Sequence, residues 1–417
     1  MSFFSILLSS LFWFLPSPYR NVKRFIQGIG AKKRNRALYS YFQSSIDDSD
    51  DILPLGIGAP YKLKDLTLTE ADRAMYIPIP HMCAELSSFD FVQDPKRRMD
   101  LYQEENNLLG KNFWGKEQIS HSFASFGLSW NEETIKELLD VSRQVSCVFC
   151  RKLHSRSMTK LFNGLMYGVL SFETPSNPDE SQKAVLQFYK TDYFTFRVIS
   201  SYYEVHKKDI EVYLRGKTFP NINSLSIPFL SSFGVSMIAI ISNYPIGAPL
   251  NDTDLVVIVR RSQNVPDNPG KWHFTMNEAF VPGDVDNYDN NYRLSFTKCA
   301  SRGFEEETDW RKDHNRIKFS QYRFTTVLYD REKSQMGITG LVKISIRGFE
   351  NMAKAKDHLT LLYNNARDKV LESDNLQFVP IGELNRFIDK EGQLMSAPFA
   401  YALKVFSSKY RDLSFSE

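Results

Sequence analysis

Five runs of β-branched and aromatic residues in the 417-residue chain constrain its architecture more than any other feature. They are Val185-Leu-Gln-Phe-Tyr, Tyr193-Phe-Thr-Phe-Arg-Val-Ile, Val235-Ser-Met-Ile-Ala-Ile-Ile, Leu255-Val-Val-Ile-Val and Tyr322-Arg-Phe-Thr-Thr-Val-Leu-Tyr. Bounded by Gly, Pro, Asn and Asp, each reads as a strand. Residues 183–400 are therefore expected to form an α/β unit with a substantial sheet. Upstream, Ile135, Leu138, Leu139, Val141, Val145 and Val148 recur at helical spacing behind a Trp130-Asn131-Glu132-Glu133 start, and a helical pair is expected between Asn131 and about Tyr167. Glu173 to Ser181, with two prolines and three acids, reads as a linker or exposed turn. Residues 47–130 mix turn signals with short apolar pieces and show no repeat.

The beginning of the chain is different in kind. Phe3 to Leu15 holds ten apolar residues and three serines before Pro16 and Pro18 stop any helix. Such a helix is about 20 Å long, short of the ~30 Å hydrocarbon core, so it suits lying in or dipping into a bilayer surface better than spanning it. Arg20, Lys23, Arg24, Lys32, Lys33, Arg34 and Arg36 follow, and no acid precedes Asp47. The net charge of +3 thus hides +7 on residues 1–46 and −4 on the remaining 371. The basic flank suits an anionic membrane surface. An organelle transit sequence also matches in composition, whereas a secretory signal would carry its positive charge ahead of the apolar stretch. The cytoplasm or the cytoplasmic face of a membrane is the expected location. Four scattered cysteines do not build a disulfide scaffold, and the aromatic residues do not coincide with a basic stripe, so nucleic-acid binding is not expected.

The most informative segment for chemistry is Leu294 to Trp310, LSFTKCASRGFEEETDW. Phe296, Cys299, Ala300, Gly303 and Phe304 form one apolar stripe of a helix. At about 100° per residue from Phe296, Glu307 falls near 20°, inside the stripe, while Glu306 and Arg302 fall near 280° and 240°. Glu307 therefore aims its carboxylate toward the buried side, a costly position unless an Arg or a cation stands opposite. Adjacent carboxylates at a helix end suit a hard cation such as Mg²⁺. The alternative is that Glu305, Glu306 and Glu307 are a solvated acidic patch.

This segment resembles the end of a Nudix box, matching it at Arg302, Phe304, Glu306, Glu307 and Trp310. Tyr288, Leu294, Gly303 and Asp309 stand where the family carries Gly, Glu, Glu and Gly. Its surroundings are similar too. Leu255-Val-Val-Ile-Val-Arg-Arg-Ser and Pro269-Gly-Lys-Trp272 resemble the strand and turn that lead to the box, and Gln377-Phe-Val-Pro-Ile-Gly-Glu-Leu resembles the closing strand-to-helix segment. The pairing of Trp272-His-Phe-Thr-Met-Asn-Glu278 with Ala300-Ser-Arg-Gly-Phe-Glu-Glu-Glu307 looks closer still to a divergent branch of the family.

The resemblance implies an α/β/α sandwich with a mixed sheet, preceded by a helix-rich region and the short apolar N-terminal helix. The boundaries expected are 1–36, 37–182, 183–400 and a tail at 401–417. It implies Glu306 and Glu307 as ligands for Mg²⁺ or Mn²⁺ and Arg302 as their organiser. Arg260, Arg261 and Trp272 are candidate ligand contacts, and Glu278 and Glu305 are candidate bases in place of the carboxylate lost at Gly303. The function implied is binding of a nucleotide or nucleoside-diphosphate derivative, with phosphoanhydride hydrolysis weak or lost. Some bacterial antiviral effectors look like this arrangement, which gives the alternative of a membrane-associated effector whose Nudix-like domain senses a nucleotide signal. Cys147-x-x-Cys150 with His154, completed by His81-x-Cys83, has zinc-like spacing, but two cysteines one turn apart on an apolar helix face more often sit in a core.

Overall fold

A computed structural model describes residues 52–57, 66–77, 119–120, 132–154, 164–173, 184–217, 230–263, 265, 268–288, 291–330, 333, 335–366 and 373–416. The apolar head, most of the expected linker, His81 and Cys83 lie outside these residues. So do the side chains of Cys147, Cys150 and His154.

The larger sheet runs β1 (Ile52–Ile57), β12 (Arg323–Asp330), β13 (Gln335–Ser345), β5 (Phe233–Ser242), β6 (Leu255–Arg261), β14 (Ser373–Pro380). Three short strands extend it: β11 (Lys318–Phe319) beside β13, β7 (Trp272–His273) beside β6 and β8 (Met276–Ala279) beside β5. β5 and β13 pair parallel, from Phe233↔Met336 to Ser242↔Ser345. Every other ladder of this sheet is antiparallel, so the sheet is mixed.

Alternation along the central strands gives the sheet two buried faces. On one, Ala239, Ile241, Leu255 and Val257 pack with Cys299 and Phe304 of α3 (Phe296–Thr308) and with Ala355 and Leu359 of α4 (Met352–Asn365). On the other, Ile238, Ile240, Val256 and Ile258 pack with Ile388 of α5 (Leu384–Glu391) and with Phe399, Leu403 and Phe406 of α6 (Ala397–Lys409). The result is an α/β/α sandwich. Each of these aliphatic side chains contributes about 1.5–3 kcal/mol on full burial, so strands apolar on both faces are stable only between two helical layers.

A second sheet, ordered β2 (Leu66–Ala74), β4 (Ala184–Asp192), β3 (Leu165–Glu173), joins β2 to β4 in parallel and β3 to β4 antiparallel. It docks through main-chain bonds from Tyr167 N to Phe280 O at 3.0 Å and from Val169 N to Leu230 O at 2.8 Å. The rings of Tyr167, Phe188, Phe233, Phe280 and Phe296 fill the junction at centroid spacings of 5.0 to 6.3 Å. Such tilted and edge-on pairs, with Phe233 and Phe296 stacked at 12° among them, stabilise beyond their buried area. Ladders of both sheets join strands from either side of residue 183.

Two local expectations need correction. Tyr193 to Ile199 is not a strand but the start of α2 (Tyr193–Lys217). Asp192 Oδ1 accepts the Thr195 N–H at 2.7 Å, an N-cap bond, and Phe194, Val198, Ile199, Tyr202 and Tyr203 recur on one helical face, all buried. The segment from Asn131 yields one helix, α1 (Glu132–His154), and then β3, which contains Tyr167. The helix packed against α1 is α2. Among the described residues no helix is long and apolar enough to cross a membrane.

Candidate functional site

α3 begins where the sequence places it. Ser295 adopts extended backbone and its Oγ accepts the Lys298 N–H at 3.2 Å, while Asp309, at φ 61°, ends the helix in the left-handed region. The stripe Phe296, Cys299, Ala300, Gly303 and Phe304 is buried against the sheet. The hairpin of β9 (Val285–Tyr288) and β10 (Asn291–Leu294) leads into it.

Gly303 has a steric reason to lack a side chain. A Cβ there would lie 2.5 Å from Met276 Sδ and 2.9 Å from Glu278 Cγ, so β8 occupies the space that a glutamate at this position would need. Glu278 and Gly303 are therefore complementary. The carboxylate facing this part of α3 comes from β8.

Arg302 ties the two elements together. Its Nε and Nη2 make a bidentate pair with Asp284, each at 3.0 Å; Nη2 also donates to Ala279 O at 2.8 Å, and Nη1 donates to the Glu278 carboxylate. Glu306 Oε2 lies 3.7 Å from the same Nη1. Burial acts to lower the guanidinium pKa, but the Asp284 bonds and the Glu278 charge outweigh it and hold the group above its ordinary value. Arg302 is thus permanently charged. Asp284, only 3% exposed at its side chain, also accepts the Val281 N–H through Oδ2 at 3.0 Å.

Glu307 turns toward β8, and its Oε1 accepts the Asn277 N–H at 3.0 Å. Asn277 in turn accepts a hydrogen bond from Ser236 Oγ at 2.6 Å. Tyr363, at the end of α4, donates to Ser373 Oγ. Burial raises the Tyr363 pKa against the bond to Ser373, and the charge of Glu307 adds to the rise. Glu305 lies on the exposed side of α3.

The structure therefore brings together Arg302, Glu278, Glu306 and Glu307. It sets Arg260 and Trp272 apart from them. Trp272 is buried among the residues of α5 and α6 on the opposite face of the sheet, where its Nε1 donates to Glu391 Oε2 at 3.2 Å and the Arg260 guanidinium stacks 5.6 Å from its ring centroid. Arg260 Nε also donates to the carbonyl of Gly270, whose φ of +69° is the reason for the Pro269-Gly270 turn. Arg261, one residue further along β6, alternates to the face of Leu255 and Val257, the side on which α3 packs. It stands opposite Ser373 in the β6–β14 register.

Asp284 is a site residue that the sequence reading does not single out. The Pro282-Gly283-Asp284 turn is a local signal for it. Among the described residues no three His, Cys, Asp or Glu side chains converge to hold a metal ion. Glu306 and Glu307 supply two neighbouring carboxylates. A magnesium ion held by one or two carboxylates together with a ligand's phosphates, retaining several waters, needs no more from the protein.

No family model matches the chain, and no curated relative does. Among solved structures the chain is similar to DR0079 from Deinococcus radiodurans, with 12% identity and a TM-score of 0.26 over 44% of this chain and 90% of that one. It is similar also to a NUDIX hydrolase from Alicyclobacillus acidocaldarius, with 12% identity and a TM-score of 0.24 over 43% of this chain and 92% of that one.

Proposed function

We propose that this chain carries a Nudix-like site that binds a nucleotide or nucleoside-diphosphate derivative with Mg²⁺ or Mn²⁺ and hydrolyses it slowly or not at all. The observation that carries this reading is the Arg302 network, which fixes the last turn of α3, with Glu306 and Glu307, against β8. Glu306 and Glu307 are the residues that would hold the cation. When bound, such an ion offsets charge on the phosphoryl oxygens.

The chain's own residues argue for binding over turnover. A general base needs a carboxylate free to take a proton from water. Glu278 is committed to Arg302 by an ion pair and a hydrogen bond, so it is not free to orient a water. Glu305 faces solvent on the far side of the helix. Arg302 positions Glu278 and Glu306, and Arg261, at the end of β6 on the α3 face, is the candidate contact for ligand phosphate.

Calorimetry with a panel of nucleoside diphosphates and nucleoside-diphosphate sugars, with and without Mg²⁺, tests the reading. Mg²⁺-dependent binding that is lost in a Glu306→Gln/Glu307→Gln variant, with little product released by the wild type, is the expected result. Binding that is indifferent to both Mg²⁺ and the two substitutions would remove these carboxylates from the site. Rapid Mg²⁺-dependent turnover would make the chain an efficient enzyme and overturn the binding emphasis.

A further inference from the structure

A groove of about 930 Å³ opens at the other end of α3, between the small sheet and the β9–β10 hairpin. Ten residues separate Thr297, on its wall, from Glu307, about 15 Å along a helix, so it is distinct from the carboxylate site. Leu66, Thr67, Leu68 and Glu70 of β2 line it, as do Leu294 and Thr297. The floor is formed by Phe296 and Phe324, whose rings meet edge to face at 5.7 Å. Leu66, Leu68, Leu294 and Phe324 pack against the core but are only partly buried, so apolar surface is left open to the groove. At the mouth stands Tyr292, 73% exposed.

The charges of the groove are unevenly matched. Glu70 is held by Lys190 at 2.7 Å and by the hydroxyl of Tyr167, which is itself 1% exposed, so this acid and this base neutralise one another on a fixed frame. Arg293, also on the lining and exposed, makes no ion pair with a described residue; Asp286, opposite it in the β9–β10 register, is held by Lys298 at 3.4 Å. An exposed guanidinium with no ion pair among the described residues, beside aliphatic and aromatic walls, matches a molecule with an anionic head and an apolar body. The volume is within the ~300–1,000 Å³ of small-molecule sites, and the aromatic floor is already packed, as ligand sites are when they need little reorganisation.

We propose that this groove is a second binding site, for an amphiphilic organic anion: an apolar chain or ring ending in a carboxylate or a phosphate, with Arg293 receiving the head and Leu66, Leu68 and Phe324 the body. The site does not depend on the nucleotide reading of the α3 carboxylates.

Calorimetry on the full chain with decanoate, decyl phosphate and decyltrimethylammonium tests it. Decanoate, decyl phosphate or both are expected to bind saturably at one site, and their relative affinities decide which head group the site takes. The cationic analogue is expected not to bind. Arg293→Glu, a change at an exposed position, is expected to weaken the anions by about tenfold or more, the loss of one charge-assisted contact, while thermal unfolding still shows a cooperatively folded chain. Leu68→Trp, which fills the groove, is expected to abolish binding, and Glu307→Gln to leave it as in the wild type. Absence of saturable binding, equal binding of anionic and cationic probes, or an Arg293→Glu variant with wild-type affinity would each overturn the proposal.

Discussion

Arg302 lies on a helix yet makes its strongest contacts with a strand and a turn, and Asp284, its bidentate partner, is almost wholly buried. Replacing it with Met leaves that carboxylate charged and unpaired, a loss of about 3–5 kcal/mol for a buried pair broken on one side. Arg302→Met is expected to fall in that range in denaturant unfolding, and Arg302→Met/Asp284→Asn to recover part of it. Gly303 gives a second test. Gly303→Ala gains about 1 kcal/mol of helix propensity but forces Met276 and Glu278 aside, an overpacking cost of about 1–3 kcal/mol. A net loss is expected, with a gain in the background of Met276→Ala; additive effects in that double-mutant cycle would show that the two side chains do not compete for space. The sequence already indicated that Glu307 points inward, because its angle on the helix follows from spacing alone. That Glu278 fills the space at Gly303 was not legible, since the two residues are brought together by the placement of β8 on the sheet and not by any local pattern.

At the level of elements, the strands β5, β6 and β12 and the helix α3 follow from their apolar periods, and α2 shows where that reasoning fails. Tyr193-Phe-Thr-Phe-Arg-Val-Ile has strong strand propensity, but the Asp192 cap and the helical face from Phe194 to Tyr203 decide the outcome. Propensity is a weak prior that tertiary burial overrides. The cap also orients Thr195, whose Oγ1 accepts the Ile77 N–H at 2.8 Å. Asp192→Ala is accordingly expected to cost about 1 kcal/mol in thermal or denaturant unfolding, the usual cost of a lost N-cap. An unchanged midpoint would show that packing alone starts this helix.

Across the whole molecule, the small sheet and the sandwich meet at one aromatic cluster, near the Glu70, Lys190 and Tyr167 network. Burial acts to raise the Glu70 pKa, but bonds from Lys190 and Tyr167 outweigh it and hold the group below its ordinary 4.5. A carboxylate with a depressed folded pKa contributes stability that is complete above its unfolded value and lost as pH falls through the folded one. Stability is therefore expected to decline as pH drops below about 4.5, and Glu70→Gln to remove part of that slope; an identical acid profile for the variant would exclude the network as a contributor. The basic, apolar head bears on a different property. If it attaches to anionic bilayers, the full chain floats with phosphatidylserine vesicles and a chain lacking residues 1–36 does not; equal distribution of the two would end the membrane reading.

The parallel ladder between β5 and β13 also has a kinetic consequence. These neighbours are separated in sequence by everything from Ser242 to Gln335, and that interval contains β6, β8, Asp284 and all of α3. Closing so long a loop is entropically slow and is repaid only when the ladder zips. The β12–β13 hairpin, which needs only a short turn, is expected to form early in refolding. The contacts of α3 with β8, such as that of Glu307 with Asn277 30 positions earlier, close a far shorter loop, so they are expected to form before the central ladder, whose closure sets the slowest refolding phase.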